Sequence, residues 1–363
     1  MSEPVEPLHL LLRVAAHLVL LRKIAHELLD PRPKLVREVR RRRPDERVDV
    51  VAGRLGHAGD PSASVLRLRR PSAAEVGLLV TVVIWSLNFT LTKFVLDHGF
   101  QPLVYSSLRF TSAALVFSAI TFARERSFRM RRRDLALLFG AVVFGIWLNQ
   151  IGFVYSLRFT TASTAALVFG TLPIFTMIVA RASGVEMLSK RFVGAAAVSF
   201  VGVVLVALGA SGEVAGDPRG IVLALVGAAT WAVYSVAIAP LMRRYSPFRI
   251  SAVGLLLGAA MILPTASRQL AAQSWDLRPL VWVIFVVSVF GPLVLTNVLW
   301  FTAIDRVGPS RASLFANLQP FLGALFALLL LSERMTPLQI AGGLAIAVGI
   351  VLARGRSRLP AAE

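Results

Sequence analysis

The sequence predicts an all-α integral membrane protein whose ten transmembrane helices form two inverted five-helix repeats. Three observations carry this. Hydrophobic residues make up 56% of the 363-residue chain and charged residues only 16%. With a mean hydropathy of +0.70, that balance is foreign to soluble chains of this size. The apolar residues gather into blocks near the roughly 20 residues that span a hydrocarbon core about 30 Å thick, and continuous runs rather than alternation select helices over barrel strands. The chain also repeats itself. Laying Glu186 on Glu333 gives an offset of 333 − 186 = 147, which carries Pro173 onto Pro320, Ser163 onto Ser310, Gln150 onto Asn297 and Gly202 onto Gly349.

Residues 1–72 stand apart. "LHLLLRVAAHLVLLRKIAHELL" has the length of a span, but Arg13, Arg22 and Lys23 interrupt it, and a central Arg opposes insertion by about 2.5–3.5 kcal/mol. It reads better as an amphipathic helix on a membrane face, followed by "RRRRPDERVDVVAGRLGHAGDPSAS", a basic linker of disordered composition. Glu3 and Glu6 and the lack of a small-residue cleavage site argue against a signal peptide. A translation start downstream of this extension is the bland alternative.

Ten apolar blocks follow, at about 76–96, 102–123, 135–156, 160–181, 191–210, 219–239, 248–266, 279–303, 309–331 and 337–354. Short gaps make neighbouring helices antiparallel. Alternate gaps are rich in positive charge: Arg124 to Arg133, Lys190 and Arg191, Arg243 to Arg249, Arg306 and Arg311. The intervening gaps are poor in it, "LDHGFQ" having none. The positive-inside rule then places both termini in the cytoplasm of a plasma-membrane protein. An odd five-helix first unit (73–212) inverts the second (217–354), leaving a tail at 355–363. Inverted repeats of this kind underlie alternating access in secondary transporters.

The residues also resemble a known family. "IWSLNFTLTKFVL", a Pro-led second helix carrying "LRF", "TASTAALVFGTLPIF", a glutamate-bearing turn before a Gly-rich helix, and "GPSRASLFANLQPFLGALFALLLLSE" in the second half are similar in order to the drug/metabolite transporter superfamily, EamA-type, over about 75–354. The resemblance implies ten helices, a central cavity and export of small metabolites or amino-acid-like solutes. The second half departs from the first: Tyr234 stands near the Asn88 position, and no intramembrane cation answers Lys93 or Arg109. A charge-reading part of the site would come from the first half alone.

Candidate solute-binding residues follow from depth and type. Arg109 lies seven residues into its block, about 10 Å deep at 1.5 Å per residue. It is either a cation that receives a solute carboxylate or a structural Arg bonded to helix carbonyls. Lys93 is near a helix end, where snorkelling competes with a site role. Asn88 could bond solute or a neighbouring helix. Tyr105, Trp147, Gln150, Tyr155, Tyr234, Asn297, Trp300 and Asn317 supply the aromatic walls and amides of a small-molecule pocket, and equally of ordinary membrane packing. Pro173 and Pro320 free carbonyls inside their helices. Glu186 and Glu333, at block ends, read as caps of the next helix or as partners of a neighbouring Lys or Arg. Gly194, Gly202, Gly342 and Gly349 read as small packing faces.

Absences bound the chemistry. There is no cysteine, every histidine lies at or before His98, and every acid past Glu75 sits in or beside a loop or at the C-terminus. No catalytic residue, metal ligand set, proton-relay carboxylate or phosphate loop is expected, so the chain reads as no enzyme, without cofactors and not driven directly by ATP. The net charge of +19 suits membrane orientation better than nucleic acid. The expected partners are a small-molecule solute and the lipid bilayer, with a homodimer left open. The rival readings are a membrane-embedded enzyme or lipid-handling protein using the same cavity, and a non-transporting membrane partner protein.

Overall fold

A computed structural model describes residues 72–183, 190–209, 217–307 and 315–353. The N-terminal extension, Glu186, Ser310 and the tail lie outside the described residues. What is described is helical, with no strand. In chain order the elements are α1 (Ala73–Asp97), α2 (Pro102–Glu125), α3 (Arg132–Phe159), α4 (Ala162–Ala182), α5 (Lys190–Gly209), α6 (Pro218–Met242), α7 (Pro247–Thr265) and a short α8 (Ser267–Ala272). Then come α9, built from Pro279–Val289, Phe290–Leu295 and Thr296–Val307, α10 (Gln319–Leu330) and α11 (Pro337–Ala353). Among the described residues seven helices are long and apolar enough to cross a membrane, and three shorter apolar helices accompany them.

Local chemistry explains the boundaries. Proline leads α2, α6, α7, α9 and α11, where its fixed φ suits the first turn and its missing N–H is not needed. The side chains of Ser246 and Asp217 accept from the N–H groups of Arg249 and Arg219 and so cap α7 and α6. Residue Arg126 closes α2 in the left-handed region, its N–H donating to Phe122 O.

Two features interrupt the expected continuous spans. Block four is broken: α4 stops at Phe169 and resumes at Leu172 around a Gly170–Thr171 turn. Block nine breaks at Asn317–Leu318, just before α10. Each break sits two or three residues ahead of a proline, Pro173 or Pro320, which removes the α-helical donor to Phe169 O or Ala316 O and crowds that carbonyl. Blocks three and eight carry single π turns, Val143–Leu148 in α3 and Phe290–Leu295 in α9. The helix starts recur at a fixed spacing. Those of α1 and α2 return in α6 and α7 after 218 − 73 = 145 residues; those of α3, its π turn, the second part of α4 and α5 return after 279 − 132 = 147.

Packing follows the same correspondence. Helix α2 lies on α7, α4 on α10, α5 on α11 and α3 on α6, while α1 meets α9 through Trp85, whose indole N–H donates to Thr296 Oγ1 at 2.8 Å and whose ring lies 5.0 Å from that of Trp300. The α5–α11 contact is the closest. A Cβ on Gly202 would lie 2.6 Å from Gly342 O, and one on Gly342 would lie 2.6 Å from Gly202 O. One on Gly349 would lie 2.7 Å from Ala195 O, so the two helices run antiparallel. Without water to expel, such backbone approach is how spanning helices gain dispersion contact. Gly194 does not take part: nothing lies within 4 Å of its Cβ position.

Candidate functional site

The first-half cluster is built on α1 and α2. Arg109 is only 2% exposed. Its Nη2 donates to Asn88 Oδ1 at 2.8 Å, and its Nε donates to the Ser288 carbonyl of α9 at 3.0 Å. The Tyr105 ring centroid is 5.5 Å from Cζ, and the Tyr105 hydroxyl shares a 3.1 Å hydrogen bond with Thr92 Oγ1. The Ser288 carbonyl is available for a reason. Its α-helical donor would be residue 292, which is proline and has no N–H. Among the described residues no carboxylate pairs with Arg109. A guanidinium has five N–H donors, and two are engaged here.

This junction breaks the internal correspondence twice over. Arg109 corresponds to Gly254 at the 145 spacing, and Pro292 to Gly145 at the 147 spacing. The two departures meet in one hydrogen bond. On the other side a Cβ on Gly254 would touch only Val142 and Leu138, so no cation answers Arg109 at the corresponding place.

The breaks in blocks four and nine face a common space. A small cavity of about 60 Å³ is lined by Phe89, Phe169, Pro173, Asn317, Gln319 and Pro320, among others. Phe89 packs edge-on against Phe153 and Phe169 and adjoins Asn88 in sequence, so the cavity and the Arg109 cluster share α1. The Ser86 hydroxyl donates to Gln319 O at 3.1 Å, tying α1 to the second break. The lining is mostly apolar, with Asn317 and Gln319 as its polar residues.

The other candidates fall in separate places. Lys93 is 7% exposed; its Nζ donates to Leu157 O at 2.9 Å, in the last turn of α3, and pairs with Asp97 at 3.3 Å, an arrangement favoured at a helix C-terminus. Gln150 is 9% exposed and donates to Asn149 Oδ1 at 3.3 Å, while its Oε1 is buried with no hydrogen-bond partner. Asn149 in turn donates to Gly227 O of α6 at 2.8 Å. Tyr155 accepts from Gln269 of α8 at 2.8 Å, and Trp147 donates to Thr265 Oγ1 at 2.9 Å. Asn297 donates to Leu293 O within its own helix, Tyr234 packs beside Trp231, and Trp300 lies on Trp85. Sequence reasoning missed Ser288 and Pro292. Pro292 inside an apolar block was the available signal; nothing in sequence linked it to Arg109, 179 residues from Ser288.

Glu333 caps a helix of the other half rather than the one that follows it. Its carboxylate accepts from Ala162 N–H at 2.8 Å, Ser163 N–H at 2.9 Å and Ser163 Oγ at 2.6 Å, at the first turn of α4. An ionised acceptor there satisfies two donors that the helix cannot. Glu333→Ala is expected to lower stability by about 1–2 kcal/mol, with Glu333→Gln retaining part of it, as read from thermal unfolding in detergent.

A chain whose described residues are helical and include seven membrane-capable helices, with a buried cation and paired helix breaks lining a cavity, is a multi-pass membrane protein of the kind that handles solutes. The EamA-like transporter family matches it twice, over residues 72–208 and 218–355, and the chain belongs to that family. Relatives are named as transporters. The uncharacterized inner membrane transporter YedA of Escherichia coli (strain K12) is 24% identical, over 82% of this chain and 95% of that protein. The probable amino-acid metabolite efflux pump of Salmonella typhimurium (strain LT2) is 27% identical, over 76% of this chain and 92% of that protein. A crystal structure at 20% identity superposes with a TM-score of 0.54, covering 78% of this chain and 98% of the other, which supports the fold.

Proposed function

We propose that the chain is a secondary carrier that exports small organic solutes of amino-acid-like character by alternating access between two inverted five-helix halves, 73–212 and 217–354, with both termini cytoplasmic. The observation that carries the solute class is Arg109, a cation buried among spanning helices with donors uncommitted and no carboxylate beside it among the described residues. Burying such a charge unpaired is unfavourable, and a solute carboxylate would complete its coordination. Pro173 and Pro320 leave the carbonyls of the cavity-lining residues Phe169 and Ala316 without their α-helical donors, and such acceptors would suit a solute ammonium or hydroxyl. The efflux-pump relative agrees with an outward direction.

Several observations support the inverted arrangement. The family matches once in each half, the helix starts recur, and the α5–α11 contacts are reciprocal. In that contact Gly202 meets Gly342 while its counterpart Gly349 meets Ala195, the counterpart of Gly342. A two-fold axis lying in the membrane plane relates antiparallel counterparts in this way. In such an arrangement the two halves rock about the shared α2–α7 and α5–α11 seams, and the cavity between the broken helices opens to one side at a time.

The test has two stages. Exported metabolites are compared between deletion and overexpression strains, and the solute so identified is then followed in proteoliposomes. Saturable flux of the unchanged solute supports the carrier; conversion of the solute would favour a membrane-embedded enzyme, and neither flux nor conversion a non-transporting partner.

A further inference from the structure

We propose that the loop joining α2 to α3 is a docking platform for anionic phospholipid headgroups. Between residues 124 and 133 the chain presents Arg124, Arg126, Arg129, Arg131, Arg132 and Arg133, all exposed. The two acids at this place are already neutralised from elsewhere. Glu125 accepts from Arg249 at 2.9 Å, and Asp134 accepts from Arg244 and from the Tyr245 hydroxyl, both at 2.8 Å. Among the described residues none of the six arginines pairs with a carboxylate. Their charge is therefore uncompensated by any described carboxylate.

The platform is ordered through its backbone. Arg131 N–H donates to the Tyr245 hydroxyl at 3.0 Å, Arg249 Nη1 donates to Arg129 O at 3.1 Å, and Phe128 and Met130 pack into the helix core. A loop held in this way presents its arginines at no further ordering penalty for the backbone. Aromatic rings lie beneath two of the arginines. Arg126 lies over the ring of Phe122 at 5.5 Å, Arg124 over that of Phe248 at 4.7 Å, and the half-exposed Phe122 stacks on Phe128. Long basic side chains at the end of a spanning helix reach the headgroup level with their stems along apolar surface. The arginines are thus flush with the bilayer surface, where a phosphodiester carrying acyl chains meets both the guanidinium groups and the rings. A soluble polyanion would meet only the former. This inference does not depend on the carrier reading, since it concerns the bilayer and not the cavity.

The full chain is reconstituted in nanodiscs of phosphatidylcholine alone or mixed with phosphatidylglycerol, and thermal unfolding is followed together with the lipid retained on the protein by native mass spectrometry. Phosphatidylglycerol is expected to raise the unfolding midpoint of the natural protein and to be retained several-fold over its share of the bilayer. Replacing Arg126, Arg129, Arg132 and Arg133 together by glutamine should abolish both effects, and replacing them by lysine should keep most of both. Equal midpoints and unselective retention for the natural protein would overturn the proposal even if the glutamine variant fails to fold. So would an undiminished lipid effect in a folded glutamine variant. Displacement of the retained lipid by short duplex DNA at physiological salt would also overturn it, in favour of a soluble polyanion.

Discussion

Gly202→Leu is expected to lower the stability of the protein by about 3 kcal/mol, the upper end of the range for overpacking, and to reduce sharply the yield of folded protein in detergent. The obstacle is not a flexible side chain. A Cβ at residue 202 meets the Gly342 carbonyl at 2.6 Å and the Ile346 backbone nitrogen at 2.8 Å, so relief requires α5 and α11 to separate along their length. Gly194→Leu, two turns earlier on the same helix, has open space around its Cβ position and should shift stability by no more than about 0.5 kcal/mol. Thermal unfolding of the two variants side by side checks this. Equal losses would mean that leucine in this helix, and not the seam, is what the protein resists.

Arg109→Gln should weaken binding of a carboxylate-bearing solute by about 1.5–3 kcal/mol, the scale of a hydrogen bond to a charged group, and leave binding of the matching carboxamide far less affected. Lysine keeps the charge but loses the planar fork, so Arg109→Lys should fall between. Pro292→Ala tests the same junction from the far side, because it returns an N–H to compete for the Ser288 carbonyl and should reproduce part of the Arg109→Gln loss without touching the charge. The readout is the ratio of affinities for acid and amide. If both solutes lose affinity equally and the unfolding midpoint drops, Arg109 is a structural pin between α2 and α9 and not a receptor for charge.

Much of this architecture is legible in sequence because lipid imposes long apolar helices and because the two halves can be read against each other. Pro173 and Pro320 mark the break positions directly, since proline removes a helix donor wherever it falls. The π turn at Val143–Leu148 has no such mark: it contains no proline, and an extra residue in a helical turn leaves no periodic trace in a run without polar residues. Glu333 shows a different limit. Its place at a block end indicates a cap, but which helix it caps depends on α10 lying against α4, a packing fact invisible along the chain. The partners of Arg109 are hidden for the same reason. Its depth is written in its position within the second block, whereas Asn88 and Ser288 become neighbours only when α1, α2 and α9 come together.

The opposed orientation of the two halves is the claim on which alternating access stands, and paired cysteines test it most directly. Arg129 and Asp276 occupy corresponding connections, 276 − 129 = 147 residues apart, and both are exposed. The natural chain contains no cysteine, so Arg129→Cys and Asp276→Cys can be made singly without altering the background. A membrane-impermeant thiol reagent applied to intact cells should label the position-276 variant alone, and the position-129 variant should label only after the membrane is opened. Labelling of both variants from the same side would contradict the inversion and, with it, the two-fold mechanism built upon it.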